Sequence, residues 1–378
     1  MNRHRFRIGI AFGKNLFWAA VSGRNRKDTA FLEWSIMDRT LEYLITEPDH
    51  HTKISTFLQK QGYSAKILTS LRRTSFSFEL VPGEQHERKA LQELLPGDAS
   101  EKQRTGNDLK KIYPGEALQD VHMNEYVYAG DRLKVLIRET EQSEKILPVE
   151  LPFPVVYEDE DLVVVNKPPG MPIHPSIRHY DNTLGNAAAW YFKDRDDKFV
   201  YRCINRLDKD TTGLTIIAKN PLAGHLLQEQ MRQDRITRIY TAIVEGVPEP
   251  LEGIIDLPIA RKDASIIERQ VDQERGEPAV THFKVLENLG DCALVQLRLE
   301  TGRTHQIRVH MKAVGHPLLG DYMYNPAYKD REDTRQALHA GELIFFQPVS
   351  GEKIHLRVEL PGDMQEIIEG YAGACKGL

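Results

Sequence analysis

The sequence predicts an α+β protein: a mixed, largely antiparallel sheet flanked by helices and loops, preceded by a smaller α/β domain. Three observations support this. Strand-like and helix-like segments mix without strict alternation, no internal repeat is evident, and 378 residues exceed the ~100–200 of one ordinary domain. A formal net charge of −5 carries no global sign of a polyanionic partner, so any nucleic-acid surface has to be a local patch. Cys203, Cys292 and Cys375 lie far apart and form no C-x-x-C pair, which argues against a zinc site or disulfide framework and suits a reducing cytoplasm. No run approaches the ~20 apolar residues that cross a bilayer, so no membrane partner is expected.

Residues 1–36 read as a non-conforming extension. Arg3, Arg5 and Arg7 precede a short apolar stretch, Leu16 to Val21, as in a signal peptide, but Gly13-Lys14-Asn15 interrupts the pattern. The simpler expectation is that Met37 is the start, because Thr40 to Ile45 opens strand-like sequence leading into a first domain over 37–138.

From His51 to Phe78 there is no Asp or Glu, while Lys53, Lys60, Lys66, Arg72 and Arg73 recur at helix-like intervals. Ile54, Phe57 and Leu58 suit the apolar side of one short helix, Gly62 ends it, and Ile67, Leu68 and Leu71 suit a second. Lys66 and Arg73, seven apart, then share a face. Such a helix pair can neutralise phosphates without reading bases; a solvated basic face is the plainer alternative. Residues 82–116 mix charges of both signs with Gly and Pro and read as an insertion. Val121 to Tyr128 and Arg132 to Ile137 then look like two strands joined at Ala129-Gly130-Asp131. The order helix, helix, strand, strand with a basic first half resembles the RNA-binding domain of the ribosomal S-four type. Glu125 departs from it, at a place usually held by Gly.

Residues 139–154 read as a charged linker and 155–378 as the larger domain. Val155-Val156-Tyr157 and Leu162 to Val165 suit a hairpin, stopped by Lys167-Pro168-Pro169-Gly170. Asn182-Thr183-Leu184 begins a helix through Trp190, and Asn220-Pro221 begins another, with Leu222, Leu226 and Leu227 on its buried side. Ile239 to Val244 is a strand, and Ala293 to Glu300 alternates as a strand with one wet face. Thr304 is placed to cap a helix from His305 to Val314, with Ile307, Met311 and Val314 on an apolar stripe beside a polar one of His305, Arg308 and Lys312. Gly315 is its natural stop.

Asn205-Arg206-Leu207-Asp208-Lys209-Asp210-Thr211-Thr212-Gly213 places two carboxylates and an arginine in a tight polar turn before the apolar strand Leu214 to Ala218. A rigid strand can aim such a carboxylate at a ligand for nucleophilic or general-base work. The same residues also make an ordinary turn. They are joined by Arg238-Ile239-Tyr240-x-Ala242-x-Val244-x-Gly246 and by Glu300-Thr301-Gly302-Arg303-Thr304-His305-Gln306-Ile307-Arg308-Val309-His310, followed by Gly315-His316-Pro317-Leu318-Leu319-Gly320-Asp321. With Asn166 to Gly170 and Gln336 to His339, these blocks resemble the RluA family of pseudouridine synthases over about Leu151 to Pro361.

The resemblance implies isomerisation of a uridine inside RNA: the base leaves the sugar by its glycosidic nitrogen, turns and rejoins through carbon 5, with no cofactor. The family's essential aspartate stands at Asp208, in a covalent or a proton-transfer role, both of which a carboxylate suits. Asp210 is the rival carboxylate, better read as the hydrogen-bonding cap of the Thr211-Thr212 turn. Arg308 matches the family's active-site cation and is expected to hold Asp208 ionised through two parallel hydrogen bonds. Tyr240 is expected to stack on the displaced uracil and assist removal of the carbon 5 proton, or else to be simple core. Arg206 is expected to fill the space left by a flipped base. Asn205 stands where many relatives carry histidine and cannot titrate near neutral pH.

The substrate-binding set is therefore Arg206, Asn205 and His305, with Lys53, Lys66, Arg72 and Arg73 on the basic helices. His305, His310, His316 and His339 do not have a zinc spacing, and no metal is expected. The expected partner is RNA, ribosomal first and transfer RNA second, bound by a cytoplasmic monomer. A catalytically silent RNA chaperone or ribosome-assembly factor is the alternative, and a glycosidase of free nucleosides a third, for which the basic segment has no use.

Overall fold

The computed structural model describes residues 38–74, 77–83, 118–119, 121–139, 141–143, 146–194, 198–263, 265–329, 331 and 333–375. All belong to one folded unit, Ser35–Leu378. The expected extension at 1–36, the expected start at Met37 and nearly all of the expected insertion at 82–116 lie outside the described residues.

The amino-terminal part holds strands β1 (Arg39–Leu44), β2 (Thr52–Lys53), β3 (Phe78–Val81), β4 (Leu118–Gln119), β5 (Tyr126–Val127) and β6 (Arg132–Ile137), and helices α1 (Ile54–Lys60) and α2 (Ala65–Arg73). Both helices fall where the apolar spacing put them, and Ile54, Phe57, Leu58, Ile67, Leu68 and Leu71 are all buried in one core. Ser64 caps α2, accepting from the Ile67 N–H. Gly62, at φ +86°, turns the chain after α1.

The two expected strands, 121–128 and 132–137, form as β5, confined to Tyr126–Val127, and as β6, and they do not pair with each other. Instead β5 pairs with β2, and β6 lies between β1 and β3 in an antiparallel sheet ordered β1-β6-β3-β4. The cause is Asp131: its buried carboxylate accepts from the N–H groups of Tyr128 and Gly83 at 2.9 and 2.8 Å, so the turn ties to the chain after β3.

The larger part is a ten-stranded sheet ordered β12-β15-β16-β11-β17-β10-β8-β7, with β18 also on β17 and β9 also on β10. Its strands are β7 (Val155–Glu158), β8 (Leu162–Lys167), β9 (Arg202–Cys203), β10 (Thr212–Ala218), β11 (Thr237–Glu245), β12 (Glu252–Asp256), β15 (Val280–Asn288), β16 (Cys292–Leu299), β17 (Leu338–Phe346) and β18 (Lys353–Arg357). A separate pair, β13 (Ile259–Arg261) and β14 (Arg269–Val271), stands beside it. Every pairing in the large sheet is antiparallel except β10 with β17, so the predicted α+β class with a mixed, largely antiparallel sheet holds.

Helices α3 (Leu184–Phe192), α4 (Pro221–Arg232), α5 (Gln306–Ala313) and α6 (Gly362–Cys375) complete the fold. Thr183 and Asn186 form a capping box on α3, and Asn220 caps α4 ahead of Pro221, as their side-chain chemistry dictates. β10 is buried along its whole length because both sheet faces are covered. Leu214, Ile216 and Ala218 pack toward α4, whereas Ile217 packs into the core that holds α3 and α5. Each such Leu or Ile contributes about 1.5–3 kcal/mol, so the strand behind the Asp208 loop is a rigid base.

The segment expected as a linker carries no helix or strand in its described residues, yet it is tied down. Glu139 pairs with Arg202 at 2.6 Å, and Asn186 of α3 donates to the Leu147 carbonyl at 2.7 Å. Arg39 of β1 also bridges to Asp161 at 3.0 Å, and Leu222 of α4 is buried in the amino-terminal core.

Candidate active site

Asp208 sits on a loop held from three sides. Asn205 is buried; its amide nitrogen donates to the Leu214 carbonyl at 2.9 Å and its oxygen accepts from the Ile216 N–H at 2.8 Å. The backbone of β10 thus engages both ends of the amide. Lys167, 1 % exposed, donates to the carbonyls of Pro168, Met171 and Lys209 at 2.9, 3.0 and 2.9 Å. Burial pushes its pKa down to about 7, against the opposing pull of Asp210 and Asp208. Three acceptors match the three protons of an ammonium, so the Asn166 to Gly170 turn and the Asp208 loop are pinned together.

The third support is Gly213, at φ +118°, where β10 meets β17: a Cβ there would lie 2.3 Å from the Ala340 carbonyl oxygen. Thr211 and Thr212 are held by Gln336 and His339 at 3.0 and 2.8 Å. The Asp210 side chain makes no hydrogen bond among the described residues, so it is not the expected cap; the turn closes through the Thr211 N–H onto the Asp208 carbonyl.

Arg308 reaches this loop from α5. Its Nη1 donates to Asp208 Oδ2 at 3.1 Å, 100 residues away in the chain. The expected double fork to Asp208 is corrected, because the fork goes to Asp321: Nε to Oδ2 at 2.7 Å and Nη2 to Oδ1 at 2.8 Å. Asp321 is fully buried and also accepts from the N–H groups of Met323 and Tyr324. Burial would lower the pKa of Arg308, but the Asp321 carboxylate, followed by that of Asp208, reverses this and raises it. The guanidinium is therefore a fixed cation that turns one Nη1 N–H to Asp208, whose side chain keeps 23 % exposure.

α5 does not divide into the expected apolar and polar stripes. Gln306 to Met311 are all buried, so there is no solvated polar stripe, and Val314 lies just past the helix end and is exposed. Thr304 does not cap it. His305 occupies that position at φ 58°, and the Gln306 side chain folds back to accept from Arg303 N–H at 2.9 Å and the Thr301 hydroxyl at 2.8 Å. His305 stands with Nε2 3.9 Å from Asp208 Oδ2 and Nδ1 2.8 Å from the Tyr324 hydroxyl. Tyr324 accepts the Arg269 N–H and can donate its own proton to Nδ1; in that tautomer the imidazole N–H faces Asp208. Burial lowers the His305 pKa, which favours this neutral form.

A cleft of about 450 Å³ brings Asn205, Arg206, Asp208, Tyr240, His305 and Arg308 together. Tyr240 is buried on β11, its hydroxyl makes no hydrogen bond among the described residues, and burial raises its pKa, so it is a phenol. Lys53, Lys66, Arg72 and Arg73 do not line the cleft; they are exposed on the amino-terminal part and carry no carboxylate partner among the described residues. His310, His316 and His339 are each engaged with Thr281, the Glu245 carbonyl and Thr212 respectively. Among the described residues no three His, Cys, Asp or Glu side chains are grouped to hold a metal. Asp321, Tyr324 and Lys167 were missed as functional residues by the sequence reasoning. A signal existed for Asp321, since a buried arginine requires an acid and Gly320-Asp321 closes the same motif run.

A carboxylate held by a buried arginine, with a tyrosine in the same cleft, on a largely antiparallel mixed sheet, defines a class, and the comparisons agree with it. The chain belongs to the RNA pseudouridine synthases, of the RluA type, and is an isomerase that acts on uridines in RNA. The family described as RNA pseudouridylate synthase matches residues 161–313. Among its relatives, "Uncharacterized RNA pseudouridine synthase YlyB" of Bacillus subtilis is 42 % identical over 252 residues, 66 % of this chain and 82 % of the relative. "Ribosomal large subunit pseudouridine synthase D" of Zymomonas mobilis is 43 % identical over 233 residues, 58 % of this chain and 72 % of the relative. The solved structure of human RNA pseudouridylate synthase domain containing 4 is 26 % identical, with a TM-score of 0.48 over 58 % of this chain and 93 % of that one.

Proposed function

We propose that Asp208 is the reacting carboxylate of this RNA pseudouridine synthase, that Arg308 orients it, and that Tyr240 stacks on the displaced uracil. The observation that carries this is the 3.1 Å bond from Arg308 to Asp208 at the wall of a cleft shared with Tyr240. A carboxylate there can attack the anomeric carbon or take a proton from the sugar. The phenol of Tyr240 can relay the carbon 5 proton but is not a phenolate base at neutral pH. Arg206, exposed at the cleft and without a carboxylate partner among the described residues, enters the stack in place of the flipped uridine.

Residues 37–138 serve as an RNA-binding domain of the ribosomal S-four type, with Lys53, Lys66, Arg72 and Arg73 on phosphates. Residues 139–154 join it to the catalytic domain, 155–378. The substrate is large-subunit ribosomal RNA, in keeping with the name of the Zymomonas relative, and the enzyme works as a cytoplasmic monomer. The catalytically silent alternative has no support: both charged partners of the site are present and in contact.

Asp208→Asn is expected to abolish tritium release from RNA labelled at uridine carbon 5 while filter binding shows RNA affinity within about threefold of wild type. Retained turnover would remove Asp208 from its role. Mapping pseudouridines across all RNAs with and without the gene identifies the substrate, and a missing site in transfer RNA instead of ribosomal RNA would overturn that choice.

A further inference from the structure

We propose that Arg238 is a binding site for a phosphodiester of the RNA strand beside the target uridine. Arg238 and Tyr240 are two apart on β11 and buried on the same face of the strand, and both line the cleft that holds Asp208. Arg238 is 9 % exposed. Its Nη2 donates to the Thr301 carbonyl at 3.4 Å, its Nε has no hydrogen-bond partner, and no carboxylate pairs with it among the described residues.

The other arginines of the cleft sort by charge. Arg308 is matched by Asp321 and Asp208, Arg303 by Glu277 and Arg232 by Glu229. Arg206 and Arg238 are left over; Arg206 is exposed and solvated, whereas Arg238 is not. A guanidinium removed from water with a donor unmet and no counter-charge is unfavourable, a state relieved when an anion arrives with the substrate. RNA carries one class of anion, and the arginine fork matches two oxygens of a phosphodiester. A uracil carbonyl would satisfy a donor but leave the charge unmatched. Gly302 leaves room for the guanidinium tip, since a Cβ there would lie 2.8 Å from Nη1.

The test uses the full-length enzyme and RNA from cells lacking the gene, labelled with 5-tritiated uridine, a pool that contains the target whichever RNA it is. Tritium release by the wild type in this pool is a separate check on the activity itself. For Arg238→Gln, KM is expected to rise about tenfold to a hundredfold with kcat changed less than about threefold. The slope of log kcat/KM against log salt should become shallower by about 0.7, the share of one single-strand phosphate. Arg238→Lys keeps the charge, so it should restore the slope and recover only part of KM. A wild-type slope in Arg238→Gln, or a Lys variant with wild-type melting temperature and the Gln slope, would overturn the phosphate site.

Discussion

At the scale of single residues, the site is an arginine shared unequally between two acids. Asp321, fully buried, takes the fork of Arg308 and fixes the guanidinium plane; Asp208 takes a single N–H from Nη1 and stays open to the cleft. Asp321→Asn keeps the shape but leaves Arg308 without its main counter-charge, and uncoupling a buried pair costs about 3–5 kcal/mol. We expect a melting temperature several degrees lower and kcat reduced by about tenfold or more, with RNA affinity nearly unchanged. Equal losses in kcat and in RNA binding, measured by filter retention, would mean that Asp321 supports the fold generally and not the aim of Arg308. Asp208, Tyr240 and Arg308 were legible through the match of several separated motifs; spacing alone could not have paired residues 208 and 308. For Asp321 the motif run held a signal but not the role, because a fork choosing between two carboxylates is decided by packing across the fold.

At the scale of elements, the legible parts were those whose causes are local. α1 to α4 follow from apolar period and caps such as Ser64, Thr183 and Asn220, all within a turn of what they stabilise. α5 was misread in detail because Gln306 caps from inside the helix and His305 takes a left-handed backbone, neither of which a cap rule anticipates. The parallel contact of β10 with β17 was invisible, since it joins Thr212 and Gly213 to His339 and Ala340 across more than a hundred residues. That contact depends on Gly213. Gly213→Ala combines a disfavoured φ with a Cβ 2.3 Å from a carbonyl oxygen, and is expected to destabilise the protein by about 2–6 kcal/mol. Because the Asp208 loop enters β10 there, kcat should fall even at temperatures where the variant is fully folded. Urea unfolding together with tritium release below the transition tests this, and a variant with normal kcat would detach the seam from the aim of Asp208.

At the scale of the whole molecule, the same seam makes stability sensitive to acid in a window set by histidines. Burial lowers the pKa of His339 from 6.5 to about 4, and burial also lowers those of His305, His310 and His174. Each is neutral in the fold and takes a proton in the unfolded chain near pH 6.5. Between pH 6.5 and 4 the unfolded state thus binds more protons, and stability falls as pH falls. Other groups act elsewhere or in the opposite sense. Asp263, Asp272, Asp333 and Asp363, held below 3.8, act only in stronger acid, Lys167 acts from about pH 7 upward, and Glu139, raised by burial, favours the fold as pH drops. His339 is 1 % exposed, bonds Thr212 at the β10–β17 contact, and alone accounts for up to about 3 kcal/mol of that loss. In His339→Gln, whose side chain can still accept from Thr212, unfolding free energies measured by urea at intervals from pH 7 to 4 should decline less steeply than in the wild type. The comparison is of slopes, so a constant penalty from the substitution does not affect it. Parallel curves would mean that His339 gains its proton without opening the seam, and the link between acid and the support of the Asp208 loop would fail.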